Sequence, residues 1–140
     1  EIIIILRSSF SAQNEAYGKY YITRSIDSKR WSFPRLCLNL VTVGRPSITK
    51  TFSNRLFLVT RGNWENNYAR NTYQISFDKG NSWTAPKSFD SITDMPIYRT
   101  DTYDAIINFG EKIGVITTTE LGKIGGPFKH LVLYHEFINK

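Results

Sequence analysis

Two stretches of this chain repeat one another, with their serines 51 residues apart. One runs Tyr20-Tyr21-Ile22-Thr23-Arg24-Ser25-Ile26-Asp27-Ser28-Lys29-Arg30-Trp31-Ser32-Phe33-Pro34. The other runs Thr72-Tyr73-Gln74-Ile75-Ser76-Phe77-Asp78-Lys79-Gly80-Asn81-Ser82-Trp83-Thr84-Ala85-Pro86. Each follows a strand-like run that ends in arginine: Ile2 to Arg7, and Arg55-Leu56-Phe57-Leu58-Val59-Thr60-Arg61. A third run, Lys112-Ile113-Gly114-Val115-Ile116-Thr117-Thr118-Thr119-Glu120, keeps the spacing and ends in glutamate. His130 to Phe137 then supplies the next strand. A period near 50 with several strands per unit is the pattern of a β-propeller blade.

The composition agrees with an all-β chain. Ile, Val and Thr outnumber Ala and Leu more than two to one, and there are 8 Tyr, 9 Phe and 3 Trp. Such side chains suit a pleated, half-buried surface. At 140 residues the chain holds one core. We expect one propeller segment with units at roughly 1–40, 41–92 and 93–140. With blade strands labelled A to D, the expected order is B-C-D, A-B-C-D, A-B-C. Strand A of the middle unit falls near Pro46 to Phe52, and that of the last near Tyr103 to Phe109. Ten strands make about two and a half blades, whereas propellers hold about four to eight. The expectation is therefore a piece of a longer chain, or one chain of an assembly that completes the ring. A solitary β-sandwich is the alternative fold, but it leaves the repeat spacing without a reason.

Ser76-Phe77-Asp78-Lys79-Gly80-Asn81-Ser82-Trp83 resembles the Asp box, S-x-D-x-G-x-x-W, also called the BNR repeat. Its physics is local. Asp78 can accept backbone N–H bonds across a tight turn. Gly80 can adopt positive φ. Trp83 can tuck its ring against the sheet. Ser25, Asp27 and Trp31 form a degenerate copy, one residue shorter and without the glycine. The motif is a structural staple at the C–D turn, so Asp78 is not read as a catalytic carboxylate.

The Asp box also marks direction. Antiparallel strands put all C–D turns at one end of the blades and the B–C and D–A loops at the other. Arg7, Arg61, Arg70 and Glu120 fall at or within B–C loops, and Arg45, Arg99 and Tyr103 fall near D–A loops. Topology alone thus gathers arginines, a tyrosine and a glutamate at one end.

These residues resemble, in order, the C-terminal half of the sialidases (neuraminidases). Leu6-Arg7 precedes the degenerate box. Pro46-Ser47-Ile48 resembles the family's Ser-Ile strand, and Arg70-Asn71-Thr72-Tyr73 the arginine that leads into the last box. Thr102-Tyr103-Asp104-Ala105 resembles the tyrosine segment, and Ile113-Gly114-Val115-Ile116 with Glu120 the strand and glutamate after it. The resemblance implies a retaining exo-glycosidase with a tyrosine nucleophile, Tyr103. It implies an arginine triad on the sugar carboxylate, because guanidinium matches carboxylate bidentately. Arg7 would be the second member and Arg70, or failing it Arg61, the third. Glu120 would orient the first arginine. That first arginine, the Asp acid/base and the Glu that activates the tyrosine belong to the family's N-terminal part. The segment alone is thus expected to recognise acidic glycans without hydrolysing them. The alternatives are a non-catalytic glycan-binding or attachment module of a cell-surface or viral protein, and a purely structural set of blades. A secreted, surface or virion setting is implied by the resemblance only.

Other chemistries find little in this sequence. One Cys and two His give no metal cluster. Cys37 is expected as a buried thiol. His130 and His135 lie five apart on a strand, hence on opposite faces. Gly122-Lys123-Ile124-Gly125-Gly126 lacks phosphate-loop spacing. We expect no cofactor. The net charge of +6 favours an anionic partner, yet the basic residues form no run, so no nucleic acid is expected. No apolar run reaches about 18 residues, so no membrane insertion is expected.

Overall fold

A computed structural model describes residues 1–7, 20–40, 46–65, 68–88, 97–99, 105–121 and 129–138. The described residues form antiparallel sheets and contain no helix. The first sheet joins β1 (Ile2–Arg7), β2 (Tyr20–Ser25) and β3 (Arg35–Leu36) in that order. The second joins β4 (Ser47–Lys50), β5 (Leu56–Glu65), β6 (Tyr68–Ser76) and β7 (Lys87–Ser88). The third centres on β10 (Lys112–Leu121), which pairs with β11 (Lys129–Ile138) along one edge. On its other edge lie β9 (Ala105–Asn108) and β8 (Ile97–Arg99).

The strands fall on the runs expected from the sequence, with one addition. The partner of β10 on that edge comes in two pieces rather than one, so the described residues hold eleven strands instead of ten. β9 pairs with Ile113 to Ile116, and β8 pairs with Glu120 and Leu121 across a register shift.

The sheets stack face to face. Leu56 and Leu58 of β5 join Tyr20, Ile22, Cys37 and Trp83 in one buried cluster, with Ile3 and Ile5 packed against it. Phe57 and Val59 join Ile113 and Val115 in a second, with Tyr73, Ile75, Ile106 and Phe137 against it. Successive side chains of a strand point to opposite faces. The run Leu56-Phe57-Leu58-Val59 is therefore apolar at every position because both faces of the second sheet are covered. Phe57, Tyr73 and Phe137 add an aromatic trio to the second cluster, with ring centroids 5.1–5.5 Å apart.

Polar side chains fasten the seams between sheets. The Gln74 amide is fully buried and donates from Nε2 to the carbonyls of Asn39, at 2.9 Å, and Thr84, at 2.6 Å. Leu38 N–H donates to the Asn81 carbonyl at 3.2 Å. Between the second and third sheets, Asn108 Nδ2 donates to the Lys50 carbonyl at 2.8 Å. Buried donors and acceptors are costly when unmade, so these bonds fix how the sheets meet.

Candidate functional site

Two turns set the geometry of the molecule. In the second sheet, Ser76 Oγ donates to Asp78 Oδ1 at 2.8 Å and accepts from the Gly80 N–H at 2.6 Å. Asp78 Oδ1 accepts the Ser82 N–H at 2.9 Å, and Ser82 Oγ donates to Oδ2 at 2.6 Å. Lys79 and Gly80 both take positive φ, 59° and 90°. Trp83 is buried, and a Cβ on Gly80 would stand 3.6 Å from its ring.

The first sheet repeats the turn with fewer residues. Asp27 Oδ1 accepts the N–H groups of Lys29, at 3.0 Å, and Arg30, at 2.9 Å, and Ser25 Oγ donates to it at 3.2 Å. Ser28 supplies the positive φ, 60°, in place of glycine. Trp31 departs from its counterpart: it is 39% exposed, against 4% for Trp83. The turns nevertheless close in the same register, since Ser32 N–H donates to the Arg24 carbonyl as Thr84 N–H does to that of Ile75. Trp83 packs in the cluster shared with the first sheet, and Trp31 joins no such cluster among the described residues.

Both carboxylates are held at a pKa of about 2. For Asp27 the main causes are the backbone N–H groups of Arg30 and Lys29; for Asp78 they are the hydroxyl and N–H of Ser82. A carboxylate committed to its own turn is no general acid. Burial pushes the Cys37 thiol up to about 11, opposed by Trp83 and Arg24, which makes it a poor nucleophile. Desolvation lowers His135 below the ordinary histidine value.

The arginines singled out by the sequence lie at the other end of the strands. Ile2 is the cross-strand partner of Ser25, and Leu56 that of Ser76. Counting five positions onward from each gives Arg7, opposite Tyr20, and Arg61, opposite Asn71. The two arginines thus occupy the same rung of neighbouring sheets. Arg70 immediately precedes Asn71 on β6, beside a register shift between Arg61 and Trp64. For Arg7, Arg61, Arg70 and Glu120 the strand position is described and the side chain is not. Tyr103 lies outside the described residues.

The structure adds one neighbour to Glu120. Its backbone is flanked by Arg99 on β8 and by His130 on β11. Sequence spacing placed Arg99 and Glu120 at the same end but did not pair them, because β8 was not expected as a strand. β6 also approaches β8, which brings the strand of Arg70 towards that of Arg99. Among the described residues, no three His, Cys, Asp or Glu side chains gather as a metal site. Among the described residues, no helix is long and apolar enough to cross a membrane.

No protein-family model matches this sequence, and no curated protein matches it.

Proposed function

We propose that the three sheets are consecutive blades of an Asp-box β-propeller of the sialidase kind. The end opposite the Asp-box turns recognises acidic glycans through Arg7, Arg61 and Arg70. The observation that carries this reading is the common rung of Arg7 and Arg61, each five positions beyond the residue paired with an Asp-box serine. Arginine positions gathered at one end suit a carboxylate-bearing sugar, since guanidinium matches carboxylate bidentately.

Register also supports further blades. Ile2 and Ile4 occupy the positions that Leu56 and Leu58 hold in the second sheet. Leu56 and Leu58 are buried against the first sheet, whereas Ile2, Ile4 and Leu6 stand partly exposed. An apolar face at an equivalent position calls for an equivalent cover, the remainder of the propeller in the same or another chain.

By the sialidase resemblance, Tyr103 is the nucleophile of the complete enzyme and Glu120 supports an arginine. These 140 residues hold no counterpart of the first triad arginine, the acid/base Asp or the activating Glu. That favours binding over hydrolysis for the segment itself. The non-catalytic attachment module is the second reading for the same reason.

Retention on a sialic-acid-bearing resin, against the same resin after desialylation, tests the proposal. Sialic-acid-dependent retention that Arg7→Ala and Arg61→Ala each weaken supports it. Equal retention on both resins defeats it.

A further inference from the structure

The Asp-box end of the sheets has a surface chemistry that the glycan reading does not use. Ile26, Phe33, Phe52, Phe77 and Phe109 are each between 59% and 89% exposed. They sit in or beside four different bends of the chain. Ile26 and Phe77 begin the two Asp-box turns, and Phe33 follows the first of them. Phe52 lies in the turn from β4 to β5, and Phe109 in the turn from β9 to β10. Strand alternation sends all these turns to one end. Stacked sheets lie about 10 Å apart, so the apolar tips are spread over three layers and do not merge into one flat patch.

Basic side chains stand between the tips. Lys29, Arg30, Arg35, Arg55 and Lys79 are all exposed. The Arg55 guanidinium lies 4.7 Å above the Phe77 ring, joining two of the turns. The nearby carboxylates of Asp27 and Asp78 accept hydrogen bonds from their own turns. Both carboxylates keep their charge, Asp27 pairing with Arg30 at 3.0 Å, and Glu111 is exposed in the turn of Phe109. Five named cations against these three acids still leave this end cationic by two charges.

We propose that this end docks on the surface of an anionic lipid bilayer, with the phenylalanine and isoleucine tips entering the boundary between headgroups and acyl chains. Charge complementarity selects the occupant. Single apolar side chains raised on separate turns among cations suit a fluid surface that closes around each one. This is shallow surface binding, not spanning, and it stands independently of the glycan proposal at the opposite end.

Flotation tests it with the 140-residue chain. One set of vesicles holds phosphatidylcholine and phosphatidylserine in equal parts; the other holds phosphatidylcholine alone. The chain should float with the mixed vesicles, fail to float with the neutral ones, and detach in high salt. Ile26→Ser with Phe33→Ser should lower the bound fraction about tenfold. The melting curve should not change, since both side chains are exposed. Lys29→Glu with Lys79→Glu should abolish flotation by the other route. Absence of flotation with mixed vesicles overturns the proposal, and so does flotation that survives removal of Ile26 and Phe33. Vesicle-free binding of a poly(dT) oligonucleotide that depends on Phe33 would make nucleic acid the occupant and overturn it equally.

Discussion

Arg24 on β2 reaches into the Asp-box turn of the next sheet, where its Nη2 donates to the carbonyl of Lys79 at 2.5 Å. The same nitrogen lies 3.1 Å from Asn81 Oδ1. One side chain of the first repeat thus locks the turn of the second. Hydrogen bonds from a charged donor contribute about 1.5–3 kcal/mol each in favourable cases. Arg24→Ala should destabilise the chain by about 2 kcal/mol, read as a lower urea midpoint with an unchanged slope. Arg24→Lys should not restore it, because the lysine side chain is shorter and its ammonium is more strongly hydrated than a guanidinium.

Gly80 and Gly110 both take positive φ, 90° and 83°, but their surroundings differ. A Cβ on Gly80 would run into the Ile22 side chain, whereas nothing stands within 4 Å of one on Gly110. Gly110→Ala meets backbone strain alone and should cost about 1 kcal/mol. Gly80→Ala meets strain and a core clash and should cost about 3 kcal/mol. Thermal melts of the two variants side by side check the order.

β5 and β1 look alike in sequence and differ in burial. Leu58 is fully buried between two sheets, whereas Ile4 is 37% exposed. Leu58→Ala should cost about 2–5 kcal/mol. Ile4→Ala should cost under about 1 kcal/mol in the 140-residue chain. If a further sheet covers β1 in a longer protein, the two costs should converge there.

Acid should weaken the fold in two steps. His135 is held below the usual histidine value of 6.5 by desolvation. The unfolded chain takes that proton first, so stability begins to fall as pH drops below 6.5. Asp27 and Asp78 are depressed from 3.8 to about 2. Their contribution is complete above 3.8 and is lost as pH falls towards 2. Asp78 is exposed and Asp27 half-buried, so screening keeps the effect modest. Melting temperatures of the parent and Asp78→Asn across this range should show the lower step shrinking in the variant.

How legible this molecule was in its sequence depends on how local each signal is. The Asp-box turn is written in eight consecutive residues, and its serine, aspartate, glycine and tryptophan take the roles their chemistry allows. The Leu56-Phe57-Leu58-Val59 run announced a strand, and its cover on both faces became visible only in the stacking of the sheets. The degenerate copy was less readable, because Trp31 takes the register of Trp83 and burial at that position depends on a neighbouring sheet. β8 was missed for a different reason. Ile97-Tyr98-Arg99 is three residues long, and only its pairing with Glu120 and Leu121 makes it a strand. The seam bonds of Gln74 and Arg24 were also invisible, since both depend on how sheets meet across 35 and 55 residues of sequence. The candidate site was legible as one end of the sheets through strand alternation. Its exact constellation requires the meeting of separate sheets, which spacing does not encode.

The central claim is recognition of an acidic sugar at the end that carries Arg7 and Arg61. The most direct test is an NMR titration of the isotope-labelled chain with sialyllactose and, separately, with lactose. The account predicts that sialyllactose shifts the amides around Arg7, Arg61 and Arg70, leaves Asp27 and Asp78 unmoved, and that lactose shifts neither group. Equal responses to both sugars, or shifts confined to the Asp-box turns, would contradict it.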